Sequence, residues 1–507
     1  MARMAGTDSL FLSMETESVH GHVGGLAILD PSEAKGFSFQ RVKDSIAERV
    51  LLAPRFTQKI LEAPLGLARP RWIEDPDFDV SEHLHRAAVP SPGGIHELAE
   101  LAGYLFSRKL DRRKPLWEFW FIEGLAGGRV ALLQKCHHCL MDGVTGADLA
   151  TVLCDLEPSP KRRKPGPARP RPQRERVPSD LELWMDSLLN VAATPVRVAG
   201  YTVQAIRRGA RMLSYLVGED ASPLATGAPR LSINGSIGPR RAFACSSVAL
   251  SDLKSIKNAA GVKLNDVVIE LSAAALLRYL NAIGEKVDGS IAVGCAMNTR
   301  TGTEDASVAN RIATYAVSAA TDIADPAERL QKIHENSNRA KEMTARARST
   351  PIASIGEVLP PLLVNLGFRT ALAFADQSPL PMNALVSNVP GPPIPLYVAG
   401  ARMESLYPLS ILAHGAGLNV TVMSFMDRVD FGFTVDPDLV PDPWFLADGI
   451  QTALAELESA VEARTGRIGD RRRGADSEDT QRLADQIRTD ANGNGHGLPS
   501  AAPLAAA

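Results

Sequence analysis

The stretch GRVALLQKCHHCLMDGVTGADLATVLCDLE, residues 128–157, decides how the chain is read. Val130 to Cys136 is a short apolar run, with the length and composition of a strand buried on both faces. Leu149, Val152, Leu153 and Leu156 follow at i, i+3, i+4 and i+7, the spacing of one buried helix face. Between them, at a strand-to-helix turn, stands HHCLMDG (137–143). Side chains alternate along a strand, so His137 and His138 point in opposite directions, and one can face a cavity while the other packs. Asp142 adds a carboxylate able to orient nearby groups, and Gly143 a position free of Cβ constraint. Cys136 and Cys139 form a CxxC, but no second pair follows to complete a zinc site. A redox pair would sit at a helix N-terminus, where the dipole lowers the thiol pKa, and this one lies in or beside a strand.

Working outward, residues 1–156 read as mixed α/β, with a strand in GHVGGLAIL (21–29) and a helix in IHELAELAGYLFSRKL (95–110). Composition then shifts: Lys161 to Arg176 holds eight Lys/Arg and one Glu among prolines. Such a segment is an extended tether, with a patch for anionic lipid as the alternative. Residues 180–217 turn helical again, with Leu181, Trp184, Met185, Leu188 and Leu189 on one side and a break expected at Pro195. A second α/β region runs from 240 to 465, and the polar remainder is expected to be disordered. The division is therefore 1–156, a connection over 157–239, 240–465, and a tail over 466–507.

Lys+Arg number 55 and Asp+Glu 58 in 507 residues, a net charge of −3, which argues against a dedicated nucleic-acid binder. Five scattered cysteines suit a reducing compartment and not a disulfide scaffold. Asp8, Glu15 and Glu17 interrupt the N-terminus where a secretion signal needs an apolar run, so a cytoplasmic location is expected.

HHxxxDG resembles the signature of the CoA-dependent acyltransferases, and the surrounding text narrows the resemblance. LDRRKPLWEFWFIEGL (110–125) is similar to a segment of the bacterial wax ester synthase/diacylglycerol acyltransferase family. So are DSLFL (8–12), HVGGL (22–26), RWIEDPDFDVSEHL (71–84), LNDVV (264–268), SNVPGPP (387–393) and DFGFTVDPDLVPD (430–442), all in family order. The chain departs from the family at AMNTRT (296–301) and ANRIAT (309–314), which leaves acyl or alcohol preference open.

The resemblance implies two similar chloramphenicol acetyltransferase-like α/β domains with a tunnel between them, and transfer of a fatty acyl group from acyl-CoA to diacylglycerol. The alternative acceptor is a long-chain fatty alcohol, giving a wax ester. By the motif, His138 is the general base and His137 its support, while Asp142 holds the loop by pairing with an arginine, for which Arg300 is the candidate. Asn265, Ser387 and Asn388 are candidate donors to the substrate oxyanion. Asn265 is equally suited to cap the helix expected near Val267. Pro115, Leu116 and Trp117 are expected to pack the start of the catalytic strand. There is no Walker or dinucleotide fingerprint and no nucleophile elbow, so CoA is a substrate, with no metal or resident cofactor implied. A non-enzymatic rival, a lipid-droplet scaffold, uses only the amphipathic and basic segments. Residues 352–375 carry only Glu357 and Arg369 as charges, with Pro360 and Pro361 interrupting any single spanning helix. They predict either a buried segment or an apolar surface that dips into a membrane or lipid droplet, with Arg207, Arg208 and Arg211 adding attraction to anionic headgroups.

Overall fold

The computed structural model describes residues 2–141, 153–159, 176–195, 227–298, 312–347, 359–373 and 380–466. Asp142, Gly143 and Arg300 lie outside them, as do most of the basic linker, Arg207, Arg208, Arg211 and the tail.

The first sheet is built around β7 (Val130–His137), in which every residue is buried. It runs antiparallel between β2 (His22–Asp30) and β6 (Trp117–Glu123). Its one charge, Lys135, sits opposite Glu118 of β6 and donates to its carboxylate at 2.6 Å and to the Leu105 carbonyl at 3.1 Å. That partnering is what lets a lysine occupy a strand with no exposed face. One face of β7 meets the helix α3 (Ile95–Phe106), through Leu98, Ala102 and Phe106 against Leu26, Ala131 and Leu133. The other packs Leu132 and Cys136 into a cluster with Trp117, Phe119, Phe121 and the helix α2 (Phe39–Val50). Leu116 and Trp117 are core as expected, but they lie beside the end of β7 and not its start: Trp117 pairs with Cys136, the His137 N–H donates to the Leu116 carbonyl, and the Trp117 indole donates to the Phe56 carbonyl at 2.8 Å.

The full order of this sheet is β12-β13-β2-β7-β6-β5, where β5 is Leu84–Ala88, β12 is Tyr397–Val398 and β13 is Ala401–Leu409. The last two come from the stretch assigned by sequence to the second domain, so the chain crosses back to complete the first sheet. The second sheet has six strands of matching mixed character, in the order β10-β9-β11-β14-β15-β8. These are β8 (Ala242–Ala249), β9 (Ala292–Asn298), β10 (Ile312–Ser318), β11 (Ala384–Val389), β14 (Leu418–Phe425) and β15 (Arg428–Val435). A three-stranded sheet, β1 (Ala2–Arg3), β3 (Gln58–Leu61) and β4 (Arg71–Glu74), flanks the first half.

Helix α1 (Gly6–Met14) precedes β2, and α4 covers residues 180–195. Helices α5 (Leu250–Ala260), α6 (Leu264–Ala282), α7 (Pro326–Ala347) and α9 (Pro443–Thr465) cover the second sheet, while α8 (Pro361–Ala373) packs on α1. Helix α6 starts three residues earlier than the sequence suggested. Its N-cap is Lys263, whose N–H is accepted by Asp266 at 3.1 Å. Asn265 is therefore not the cap but a half-buried residue of the first turn.

Candidate active site

The strand β7 ends at His137, and His138 opens a short 3-10 turn, His138–Met141. The change of backbone at that point separates the two imidazoles. His137 points inward and is 1 % exposed. The Cys139 N–H donates to its Nδ1 at 3.2 Å, with the thiol 3.0 Å from the same atom. An accepting Nδ1 leaves the ring proton on Nε2, which has no partner among the described residues. Gly21 covers that side of the ring so closely that a Cβ there would lie 2.2 Å from Nε2. Burial first, then the charge of Arg112, lowers the His137 pKa to about 3. This imidazole is neutral at pH 7 and held on both sides of the ring.

His138 is half-buried and turned the other way. Its main-chain N–H donates to the Gly21 carbonyl at 2.8 Å. Its ring stacks on Phe11 of α1, with centroids 4.1 Å apart and planes 20° apart. Nδ1 meets no hydrogen-bond partner in good geometry among the described residues. Burial lowers its pKa to about 4, opposed in part by its own main-chain carbonyl. At neutral pH the ring is uncharged and has a lone pair to offer, which a proton acceptor requires.

Burial also pushes the Cys136 thiol up to about 12 and the Cys139 thiol well above its usual range. Neither is a thiolate poised for exchange. No cluster of three or more His, Cys, Asp or Glu among the described residues is arranged to hold a metal.

Of the other candidates, Ser387 and Asn388 lie near the end of β11. Val389, the next residue, packs against the apolar cluster of the first half, and no described contact brings Ser387 or Asn388 to His138. No described contact brings Asn265 to His138. Asp142, Gly143 and Arg300 fall outside the described residues. Two contributors went unassigned by sequence reasoning. DSLFL carries no local mark of a site, yet its Phe11 forms one wall of His138. Nothing in the pattern around Gly21 marked it as the residue that covers the His137 ring and accepts the His138 N–H.

Two six-stranded mixed sheets, the first completed by strands from the second half of the chain, with a His-His turn at the end of a buried strand, are the architecture of a CoA-dependent acyltransferase. The wax ester synthase/diacylglycerol acyltransferase catalytic domain matches residues 4–268, and the C-terminal domain of the same family matches 308–458. The chain belongs to this family and is an acyltransferase. It is 35 % identical over 471 residues to a Mycobacterium tuberculosis protein named as a diacylglycerol O-acyltransferase (Rv1760), covering 90 % of each chain. It is 33 % identical over 466 residues to another from that organism (tgs2), covering 91 % of this chain and all of the relative. The wax ester synthase/diacylglycerol acyltransferase of Marinobacter aquaeolei VT8 superposes with a TM-score of 0.65 at 28 % identity, over 92 % of this chain and 100 % of that one. The starter condensation domain of rhizomide synthetase shares the fold, at a TM-score of 0.51 and 11 % identity, over 92 % of this chain and 96 % of that one.

Proposed function

We propose that the protein transfers a long-chain fatty acyl group from acyl-CoA to the free hydroxyl of diacylglycerol, making triacylglycerol, with His138 as general base. The observation that carries the assignment of the base is the contrast between the two imidazoles. His137 is closed in by Gly21 and Cys139, whereas His138 is only half-buried. With its proton on Nδ1, His138 takes the acceptor's hydroxyl proton at Nε2 as the alcohol oxygen attacks the thioester carbonyl. The tetrahedral oxyanion then collapses, the C–S bond breaks, and the imidazolium returns the proton to the departing sulfur. General-base assistance of this kind is worth roughly 10²–10⁴-fold. Asn265, Ser387 and Asn388 remain the proposed oxyanion and substrate contacts, and Asp142 with Arg300 the proposed loop lock. CoA enters as a substrate, and the reaction as written uses no resident cofactor.

The same reading places the enzyme at a lipid surface. Helix α4 is inside-out: Ser187, Asn190 and Thr194 are buried, while Leu181, Met185, Leu188 and Leu189 are 57–70 % exposed. Its buried polar groups are satisfied within the helix, each bonding the carbonyl four residues back. Asp186 ties it to Arg3 and Arg71 at 2.7 and 3.0 Å. Leu362, Leu363 and Leu366 of α8 are likewise exposed, and α8 is held to α1 by Asn365 donating to the Ser13 carbonyl at 2.8 Å. Apolar rows facing outward beside the helix that carries Phe11 suit peripheral attachment to a membrane or lipid droplet. No helix among the described residues is long and apolar enough to cross a membrane.

The test is product analysis with purified protein and palmitoyl-CoA, offering diacylglycerol and hexadecanol in competition. Triacylglycerol as the main product supports the reading. Wax ester as the main product transfers the assignment to the fatty alcohol, and no CoA release in either case refutes it.

A further inference from the structure

We infer that Arg112 and Glu15 act as positioning residues for His138, one ion pair with a buried carboxylate holding two groups that touch it. The inference rests on His138 being the base. Its evidence is a continuous set of contacts that the reaction scheme leaves unused.

Arg112 lies in the loop between α3 and β6 and donates to Glu15 through Nε at 2.9 Å and Nη2 at 2.7 Å. Nη2 also donates to the Leu12 carbonyl at 2.8 Å, near the C-terminus of α1, where helix carbonyls lack intrahelical partners. The Glu15 side chain is 3 % exposed, and its other oxygen accepts the Gly21 N–H at 3.3 Å.

Two routes therefore run from one guanidinium to His138. Through Leu12 it fixes the end of α1, so that the neighbouring Phe11 lies flat on the imidazole. Through Glu15 it fixes Gly21, whose carbonyl takes the His138 N–H and whose Cα closes over His137. A planar fork spreads these bonds over two nitrogens, Nε and Nη2, in one fixed geometry that a lysine's single ammonium does not reproduce. A third contact, to Glu62 at 3.1 Å, is on the exposed rim and is worth little.

Arg112→Lys and Glu15→Gln test the assignment. Glu15→Gln keeps an acceptor for Gly21 but removes the charge that holds Arg112. Each variant is expected to lower kcat by about 10- to 100-fold, with the KM for palmitoyl-CoA changed by less than about threefold. Loosening Phe11 admits water to the ring. The acid limb of the pH profile, and the His138 titration followed by NMR, should then move up from about 4 toward the ordinary value near 6.5. In a His138→Ala background, Arg112→Lys should cause no further loss.

Folded variants with kcat within twofold of wild type would overturn the inference. So would an unmoved His138 titration, or a loss that persists in full in the His138→Ala background. If Arg112→Lys fails to fold, Glu15→Gln carries the same readouts. If His138→Ala itself keeps the wild-type rate, the base assignment fails, and that result is read independently of Arg112.

Discussion

Replacing Gly21 by alanine puts a methyl group where the His137 ring already is. The new Cβ would stand 2.2 Å from Nε2, 2.8 Å from Cε1 and 3.0 Å from Cδ2, whereas ordinary contact begins near 3.4 Å. Something must therefore move by 3.4 − 2.2 = 1.2 Å. The Gly21 backbone is not in the left-handed region, so the problem is space and not strain. The ring cannot easily yield, because Cys139 holds its Nδ1 and the His137 N–H is bonded to the Leu116 carbonyl at 2.9 Å. Gly21 is also tied, through Glu15 on one side and the His138 N–H on the other. Overpacking a filled site costs about 1–3 kcal/mol, and displacing a reacting group by about 1 Å can lower turnover on the order of 10²-fold. Calorimetry should show Tm lowered by several degrees, and a thiol-release assay should show kcat falling by at least tenfold. An alanine variant with unchanged Tm and kcat within twofold would refute the reasoning, since the turn would then have slack that these distances deny it.

Stability should fall with acid. Burial lowers His20 and His138 to about 4, His137 to about 3, and His22 well below its usual value. The unfolded chain protonates these rings near 6.5 and the folded chain does not. Stability is then full above about pH 6.5 and falls by up to roughly 1.4 kcal/mol per pH unit for each ring as pH drops toward 4. Denaturant titrations at pH 7.5 and 5.0 would check the sign; equal midpoints would contradict it. Glu118→Gln leaves Lys135 buried beside carbonyls without its carboxylate, and should destabilise by roughly 3 kcal/mol, read as a shifted urea midpoint. Leu362, Leu363 and Leu366 replaced together by serine should leave Tm nearly unchanged, because all three are exposed. Vesicle binding and activity on long-chain acceptors should fall, while transfer to a short soluble alcohol continues. Precipitation of that triple variant would show those side chains to be core.

What was legible in the sequence is what local pattern encodes. The mostly apolar run before the histidines marked a strand buried on both faces, and the 3.6-residue spacing after Ile95 marked a helix, observed as Ile95–Phe106. What was not legible depends on partners distant in the chain. Ala401–Leu409 reads as an ordinary part of the second half, yet it pairs with β2, and nothing local to either segment states that pairing. Asn265 looked like a helix cap because asparagine favours that position, but Asp266 reaches back to Lys263 and moves the start upstream. The apolar side of 180–195 was visible, but its facing outward was not, since periodicity fixes which residues share a face and not what the face meets. At the site, the histidine pair announced itself, while Phe11 and Gly21 acquire meaning only once α1 and the start of β2 are folded against it.

The measurement that bears most directly on the account is triacylglycerol formation from palmitoyl-CoA and diacylglycerol by wild type and His138→Ala, with folding checked by Tm. The account predicts triacylglycerol and stoichiometric CoA from the wild type, and a rate lower by about 10²–10⁴-fold in a variant that remains folded. Near-normal turnover in folded His138→Ala would contradict it, because no proton acceptor would then have been lost from the site.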